Sequence, residues 1–311
     1  MGKSGTNRTE DGTRKSFEKK LNAKRDLLDK KGKKVEGHDY VFFYSAIGEE
    51  VDAESPEVRA ENKAIWQSAM IKYMEERDGS IENFLNKIVE HVQKLPLRKP
   101  SQTFQLNDKR RKESLEVHRA KYFLSREGKG IGAEHAIQYH LIHKTHPEFG
   151  KFIAYEFPTD ADNYFGGIDL VSYHSGKNEL RLIELKKSKF GESKDSSEPF
   201  LRAYTEIVTY RASFDMVMRN LLKKLQTEFA ELGNRLNFQI DWDTVKIVNC
   251  IIGPKSLYED VDEKLRNFVN TTENPAYQVK LYSLTVHEEE IMHNPIGYPE
   301  MMVDITEEHF I

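Results

Sequence analysis

Apolar residues change their spacing along this chain, and the change divides it in two. In residues 55–95 they recur every three to four positions, the period of an amphipathic helix. Ser55-Pro56-Glu57 places a capping serine before a proline at the first helical position, so one helix is predicted from there to residue 77, with Ile65, Ala69 and Tyr73 spaced by four. Ile81, Phe84, Leu85, Ile88, Val89 and Val92 predict a second over residues 80–95, ended by Pro96 and Pro100. A third, basic helix is predicted at residues 109–124. A fourth, at residues 131–146, lies between Gly128-Lys129-Gly130 and Pro147. Residues 39–48 are too apolar for a linker and are expected to form a short strand or a docking segment.

Beyond residue 146 the period drops to two. Residues 152–157, 168–173 and 180–186 predict three strands, the last two joined by the polar link His174-Ser175-Gly176-Lys177-Asn178 of a hairpin. A long helix at 198–232, a strand at 245–252 ended by Gly253-Pro254, a helix at 257–269 and a strand at 278–286 follow. An antiparallel meander followed by a helical crossover predicts an α/β fold, a mixed central sheet flanked by helices. The expected organisation is a basic, partly disordered arm (1–36), a helical N-terminal region (37–125), an α/β core (126–290) and an irregular acidic tail (291–311).

Composition narrows the function less than the pattern does. The chain has 311 residues with 38% hydrophobic and 32% charged, enough to bury a core. A net charge of −4 gives no global nucleic-acid signature, so any basic surface is local. Residues 14–34 are rich in lysine and arginine around Phe17, Leu21, Leu27 and Leu28. They read either as a nucleic-acid arm or as a solvated surface helix. Cys250, inside an apolar run, reads as a small buried residue, and a lone cysteine favours a reducing compartment. With no signal-like or membrane-spanning stretch, a cytoplasmic protein without a membrane partner is expected.

The candidate chemistry lies where charges interrupt apolar strands. Glu184-Leu185-Lys186 is one of several E-x-K tripeptides, among them Glu18-Lys19-Lys20, Glu61-Asn62-Lys63 and Glu192-Ser193-Lys194. Only this one ends an apolar strand, where Leu182, Glu184 and Lys186 share a face. Asp169 is likewise set among Ile168, Leu170 and Val171, and the short hairpin brings it towards Glu184. Two carboxylates and the carbonyl of Leu185 are hard oxygen ligands suited to Mg²⁺ or Mn²⁺, and Lys186 can orient water or offset charge on phosphorus. The competing structural reading is an Asp169–Lys186 ion pair with Glu184 bound to a helix arginine, although buried pairs of that kind are costly. His135, His140, His143 and His146 invite a zinc reading, but no cysteine or well-spaced acid accompanies them.

Asp169, a hairpin, then Glu184-Leu185-Lys186 resembles the PD-(D/E)xK nuclease superfamily, over residues 128–255. The resemblance implies a restriction-endonuclease-like core and a metal-dependent nuclease, usually acting on DNA and leaving 5′-phosphates. It implies Asp169, Glu184 and Lys186 as catalytic residues. It places Glu134, on the first core helix, in the metal shell with Asp169, Glu184 and Leu185. Ile168 stands where the name-giving proline would be, and Glu206 stands where some branches carry glutamine four residues before a tyrosine, here Tyr210. Lys129, Lys187, Lys189, Lys194 and Tyr210 are candidate nucleic-acid contacts beside the site. A homodimer would suit double-strand cleavage, and restriction or phage defence is the expected setting. The alternatives are an inactive nucleic-acid-binding or scaffold protein on the same fold, and an enzyme switched by a ligand in the N-terminal region.

Overall fold

The computed structural model describes residues 9–30, 35–52, 56–97, 137–138, 141–142, 144–159, 167–186, 198–287 and 302–310. Five helices come first: α1 (Glu10–Lys30), α2 (His38–Val41), α3 (Phe43–Asp52), α4 (Pro56–Asp78) and α5 (Ile81–Gln93). Ser80 caps α5 by accepting from the Asn83 N–H at 3.1 Å. Residues 39–48, expected as a strand or docking segment, are helical. Phe43, Ala46 and Ile47 pack inward with Phe17 of α1 and Tyr73 of α4, so tertiary packing overrides the strand preference of Tyr40, Val41 and Phe42.

A seven-stranded mixed sheet follows: β1 (Thr145–His146), β2 (Gly150–Pro158), β3 (Gly167–His174), β4 (Glu179–Leu185), β5 (Lys246–Gly253), β6 (Val279–His287) and β7 (Met302–Glu308), in that spatial order. Strands β1 to β4 form an antiparallel meander, β4, β5 and β6 run parallel, and β7 returns antiparallel to β6. The β3–β4 turn closes on Asn178, whose φ of 47° is the left-handed conformation asparagine tolerates. Helix α6 (Phe200–Leu236), kinked at Leu221, makes the crossover between β4 and β5, and α7 (Glu263–Thr271) lies between β5 and β6.

Three boundaries differ from expectation. Thr145 and His146, expected at the end of a helix, pair with β2 instead. The helix expected at 257–269 starts only after Asp262, which caps α7 through the Lys264 N–H at 2.9 Å, while residues 255–257 form a 3-10 turn. The C-terminal segment expected to be irregular supplies β7, because the free edge of β6 gives its backbone a ladder.

The sheet has two buried faces. One carries Val171, Tyr173, Leu180 and Leu182 against α6, in a core continuous with Phe17, Phe43 and Phe84 of the N-terminal helices. The other carries Leu170, Ile183, Leu185 and Ile252 against Ile137, Leu141 and Phe149. Cys250 is buried in this second face, as its sequence context suggests. Among the described residues no helix is long and apolar enough to cross a membrane.

Candidate active site

The hairpin register decides where the charged residues go. Leu170 of β3 stands opposite Ile183 of β4, so the next pair along the ladder is Asp169 and Glu184, with side chains on the same face. Lys186 directly follows β4, and its N–H donates to the Ile252 carbonyl at 2.7 Å. The group therefore sits at the carboxyl end of the parallel β4–β5 pair, the end of an open α/β sheet at which ligands bind. Helix α6 begins beside it and supplies Arg202, Glu206 and Tyr210 from successive turns, with Glu198 just before its start.

Lys186 Nζ is the hub. It lies 2.5 Å from Glu184 Oε1, 2.7 Å from Glu206 Oε2 and 3.7 Å from Glu198 Oε2. Tyr210 donates to Glu206 Oε1 at 3.1 Å, and Arg202 pairs with Glu198 at 3.0 Å. Asp169 is oriented from two sides: Gln138 Nε2 donates to Oδ1 at 3.0 Å and the Leu185 N–H to Oδ2 at 2.7 Å. Asp169, Glu184, Lys186 and Glu206 are each 7% exposed or less.

Among the described residues, four carboxylates (Asp169, Glu184, Glu198, Glu206) thus face two cations (Lys186, Arg202), an excess of two negative charges when all are ionised. The titration directions follow. Burial, then Asp169 and Glu206, push the Glu184 carboxyl well above the usual carboxylate range. Burial would lower Lys186, but Glu184, Glu206 and Glu198 outweigh it and hold the ammonium protonated. Burial would raise Glu206, yet Lys186 and Arg202 pull it down. Of Glu184 and Glu206, it is Glu184 whose proton affinity the site raises. Its Oε2 and the Gln138 Oε1 are buried without a hydrogen-bond partner among the described residues.

The N-terminal helices complete the enclosure. Tyr44 of α3 packs its ring on Tyr210, 6.0 Å between centroids, and their hydroxyls are hydrogen-bonded. Gly48, inside α3, meets the Arg202 guanidinium: a Cβ there would lie 2.7 Å from its Cζ. A glycine inside a helix costs about 1 kcal/mol relative to alanine, and here it makes room for a cation of the site.

Asp169, Glu184 and Lys186 come together as the sequence suggests. Tyr210, a candidate nucleic-acid contact, is buried and directed at Glu206. The main chain of Leu185 holds Asp169 through its N–H. Glu134, Lys129, Lys187, Lys189 and Lys194, with His135, His140 and His143, lie outside the described residues. No group of three His, Cys, Asp or Glu side chains among the described residues is arranged to hold a metal ion. Of the basic N-terminal segment, α1 pairs Arg14 with Glu18 and Glu76, Lys24 with Glu49, and Arg25 with Asp26.

Sequence reasoning missed Gln138, Glu198, Arg202 and Tyr44. Gln138 alone carried a signal, one helical turn after Glu134 and so on the same face. Neither protein-family models, nor curated proteins, nor solved structures gave a match to this chain.

Proposed function

We propose that the protein is a divalent-metal-dependent nuclease that hydrolyses phosphodiester bonds, of DNA in the first instance, on a restriction-endonuclease-like core. The observation that carries this reading is the excess of carboxylates over cations around Glu184 among the described residues, with a buried carboxylate oxygen that has no hydrogen-bond partner there. Fully buried acids are retained at a cost unless they are paired or hold a metal. Asp169, Glu184 and the Leu185 carbonyl form a hard-oxygen donor set that suits Mg²⁺ or Mn²⁺, with Glu134 as the further ligand the family resemblance implies. Such a cation, when bound, supplies positive charge to the phosphate and acidifies a water.

The protein's own residues have separable roles. Gln138 and the Leu185 N–H fix the Asp169 carboxylate. Lys186 keeps its proton, so it works as a hydrogen-bond donor to the attacking water or the phosphate and not as a base. Glu206, braced by Tyr210, keeps Lys186 in place. A homodimer acting in restriction or phage defence, in the cytoplasm, belongs to the same proposal.

The test is cleavage of linear, circular and single-stranded DNA, and of RNA, with Mg²⁺ or Mn²⁺. Cleavage is expected, with Asp169→Ala and Lys186→Ala each lowering kcat by about 10²-fold or more. Cleavage that survived both substitutions would refute the site. A second reading, a nucleic-acid-binding or scaffold protein without catalysis, draws on the burial of Lys186 within its ion pairs. On that reading every substrate stays uncut while binding persists.

A further inference from the structure

The C-terminal half of α6 and the chain returning from it flank a second feature, an open groove further along the helix that carries Glu206 and Tyr210. Two adjoining cavities of about 650 Å³ and 560 Å³ share Gln226, Gln239, Ile240 and Trp242 among their lining residues. Ligand sites commonly measure about 300–1,000 Å³. Phe229 and Ile240, both buried, supply the apolar floor. Trp242 forms a wall, half-buried and set edge-on to Phe229 with ring centroids 5.6 Å apart.

This cavity is built before any ligand arrives. Gly233 lets the returning chain close in, since a Cβ there would lie 2.3 Å from the Phe238 carbonyl oxygen. Asn237 caps α6 in the left-handed conformation, φ 56°. The loop that carries Trp242 is pinned to the β3–β4 hairpin by Asn178 Nδ2, which donates to the Asp241 carbonyl at 3.1 Å and to Thr244 Oγ1 at 2.9 Å. Thr244 in turn donates to Asp241 Oδ2 at 2.6 Å.

Four primary amides line it, those of the half-buried Gln226 and of the solvent-exposed Asn234, Asn237 and Gln239. None of their side chains hydrogen-bonds to another described residue. The amide nitrogens of the buried Gln67 and Asn249 and of the half-buried Asn178 by contrast donate to backbone carbonyls. No lysine or arginine lines the cavity among the described residues, and Asp241 and Asp243 stand at one end. A phosphate is therefore disfavoured there. What fits is a neutral, flat ligand with a π face for the indole and an edge that both donates and accepts. Amide side chains pair with such edges bidentately, and base–aromatic stacking contributes about 1–3 kcal/mol.

We propose that the cavity between the end of α6 and the Trp242 loop binds a nucleobase, carried by a free nucleoside or by a single strand of nucleic acid. This does not rest on the nuclease reading: a protein that cuts nothing can still bind a base here.

Tryptophan fluorescence tests it, because Trp66 is 1% exposed and Trp242 is the accessible reporter. Adenosine, a short single-stranded oligodeoxynucleotide and glucose are titrated separately. Saturable quenching by adenosine or by the oligonucleotide is expected, absent in Trp242→Phe. The dissociation constant should rise at least about five-fold in Asn234→Ala and in Gln239→Ala, the effect of losing one neutral hydrogen bond at a surface that carries no fold-critical contact. Quenching by adenosine identifies the free nucleoside as sufficient, and quenching by the oligonucleotide alone identifies the strand as the source. An unsaturable decline with both, equal binding of glucose, or an affinity unchanged in both amide variants would overturn the proposal.

Discussion

Strand β4 carries two buried ion clusters that look alike in sequence and differ in chemistry. On one face, Arg181 is fully buried. Its guanidinium donates to Glu179 at 2.7 and 3.1 Å, to Glu148 at 3.1 Å and to the Tyr282 hydroxyl at 3.2 Å, and lies over the Phe149 ring at 5.3 Å. Lys177 also pairs with Glu148, so two cations meet two carboxylates. Near the strand's end, on the opposite face, Lys186 and Arg202 meet four. Among the described residues the first cluster is balanced, whereas the second has fewer cations than carboxylates. Balance, and not burial, separates an ion cluster that holds a sheet together from one that asks for a ligand.

The largest expected effect breaks the balanced side. Arg181→Met leaves Glu179 and Glu148 beside an apolar core and should destabilise the protein by about 3 kcal/mol, the low end for a broken buried pair because Glu148 keeps some solvent contact. Urea unfolding measures it, and a change under 1 kcal/mol (about a five-fold shift in the folding equilibrium) would mean the cluster contributes little.

The unbalanced side should respond with the opposite sign. Glu184→Gln removes one of the surplus carboxylates, whose charged form burial, Asp169 and Glu206 disfavour, and should raise metal-free stability. The same substitution should abolish any rise in Tm on adding Mg²⁺ to the wild type. A Glu184→Gln protein as destabilised as Arg181→Met would make both clusters structural.

The smallest effect is a contrast in pH dependence. Burial raises Glu148, but its bonds to Arg181 and Lys177 outweigh this and hold it below its ordinary value near 4.5. Its contribution is present above that value and is lost as pH falls through the folded one. Glu184 is shifted the other way, so the folded protein holds its proton more tightly than the unfolded chain. Its destabilising contribution therefore appears as pH rises above about 4.5 and grows until the raised pKa is passed. Melts from acid to neutral pH without divalent metal should lose their acid-side slope in Glu148→Gln and their neutral-side decline in Glu184→Gln. Identical profiles would remove the distinction.

Much of this was legible in the chain, and the gaps have physical causes. The β3–β4 hairpin followed from alternation and a polar turn, and it delivered Asp169 to Glu184. Arg181, however, interrupts the same apolar strand three residues before Glu184, and by the rule that picks out Glu184 it is an equal candidate. Only Glu148 and Tyr282, far off in sequence, show that it is satisfied. Tyr44 and Arg202 were invisible for the same reason, since their role arises where α3 meets α6. β7 was missed because Val303, Ile305 and Thr306 give only a brief alternation within an acidic stretch, and the β6 edge is what makes a strand of it.

The shared core of the N-terminal helices and the sheet has a consequence for synthesis. Lys63 of α4 hydrogen-bonds to Ser256, and Gln67 reaches Asp260, each 193 residues later in the chain. At about 5–20 residues per second, the first helices leave the ribosome roughly 10–40 s before those partners exist. Phe17, Phe43 and Phe84 can cluster with one another at once, but the surface that later meets α6 waits, apolar and uncovered, until most of the chain has been made.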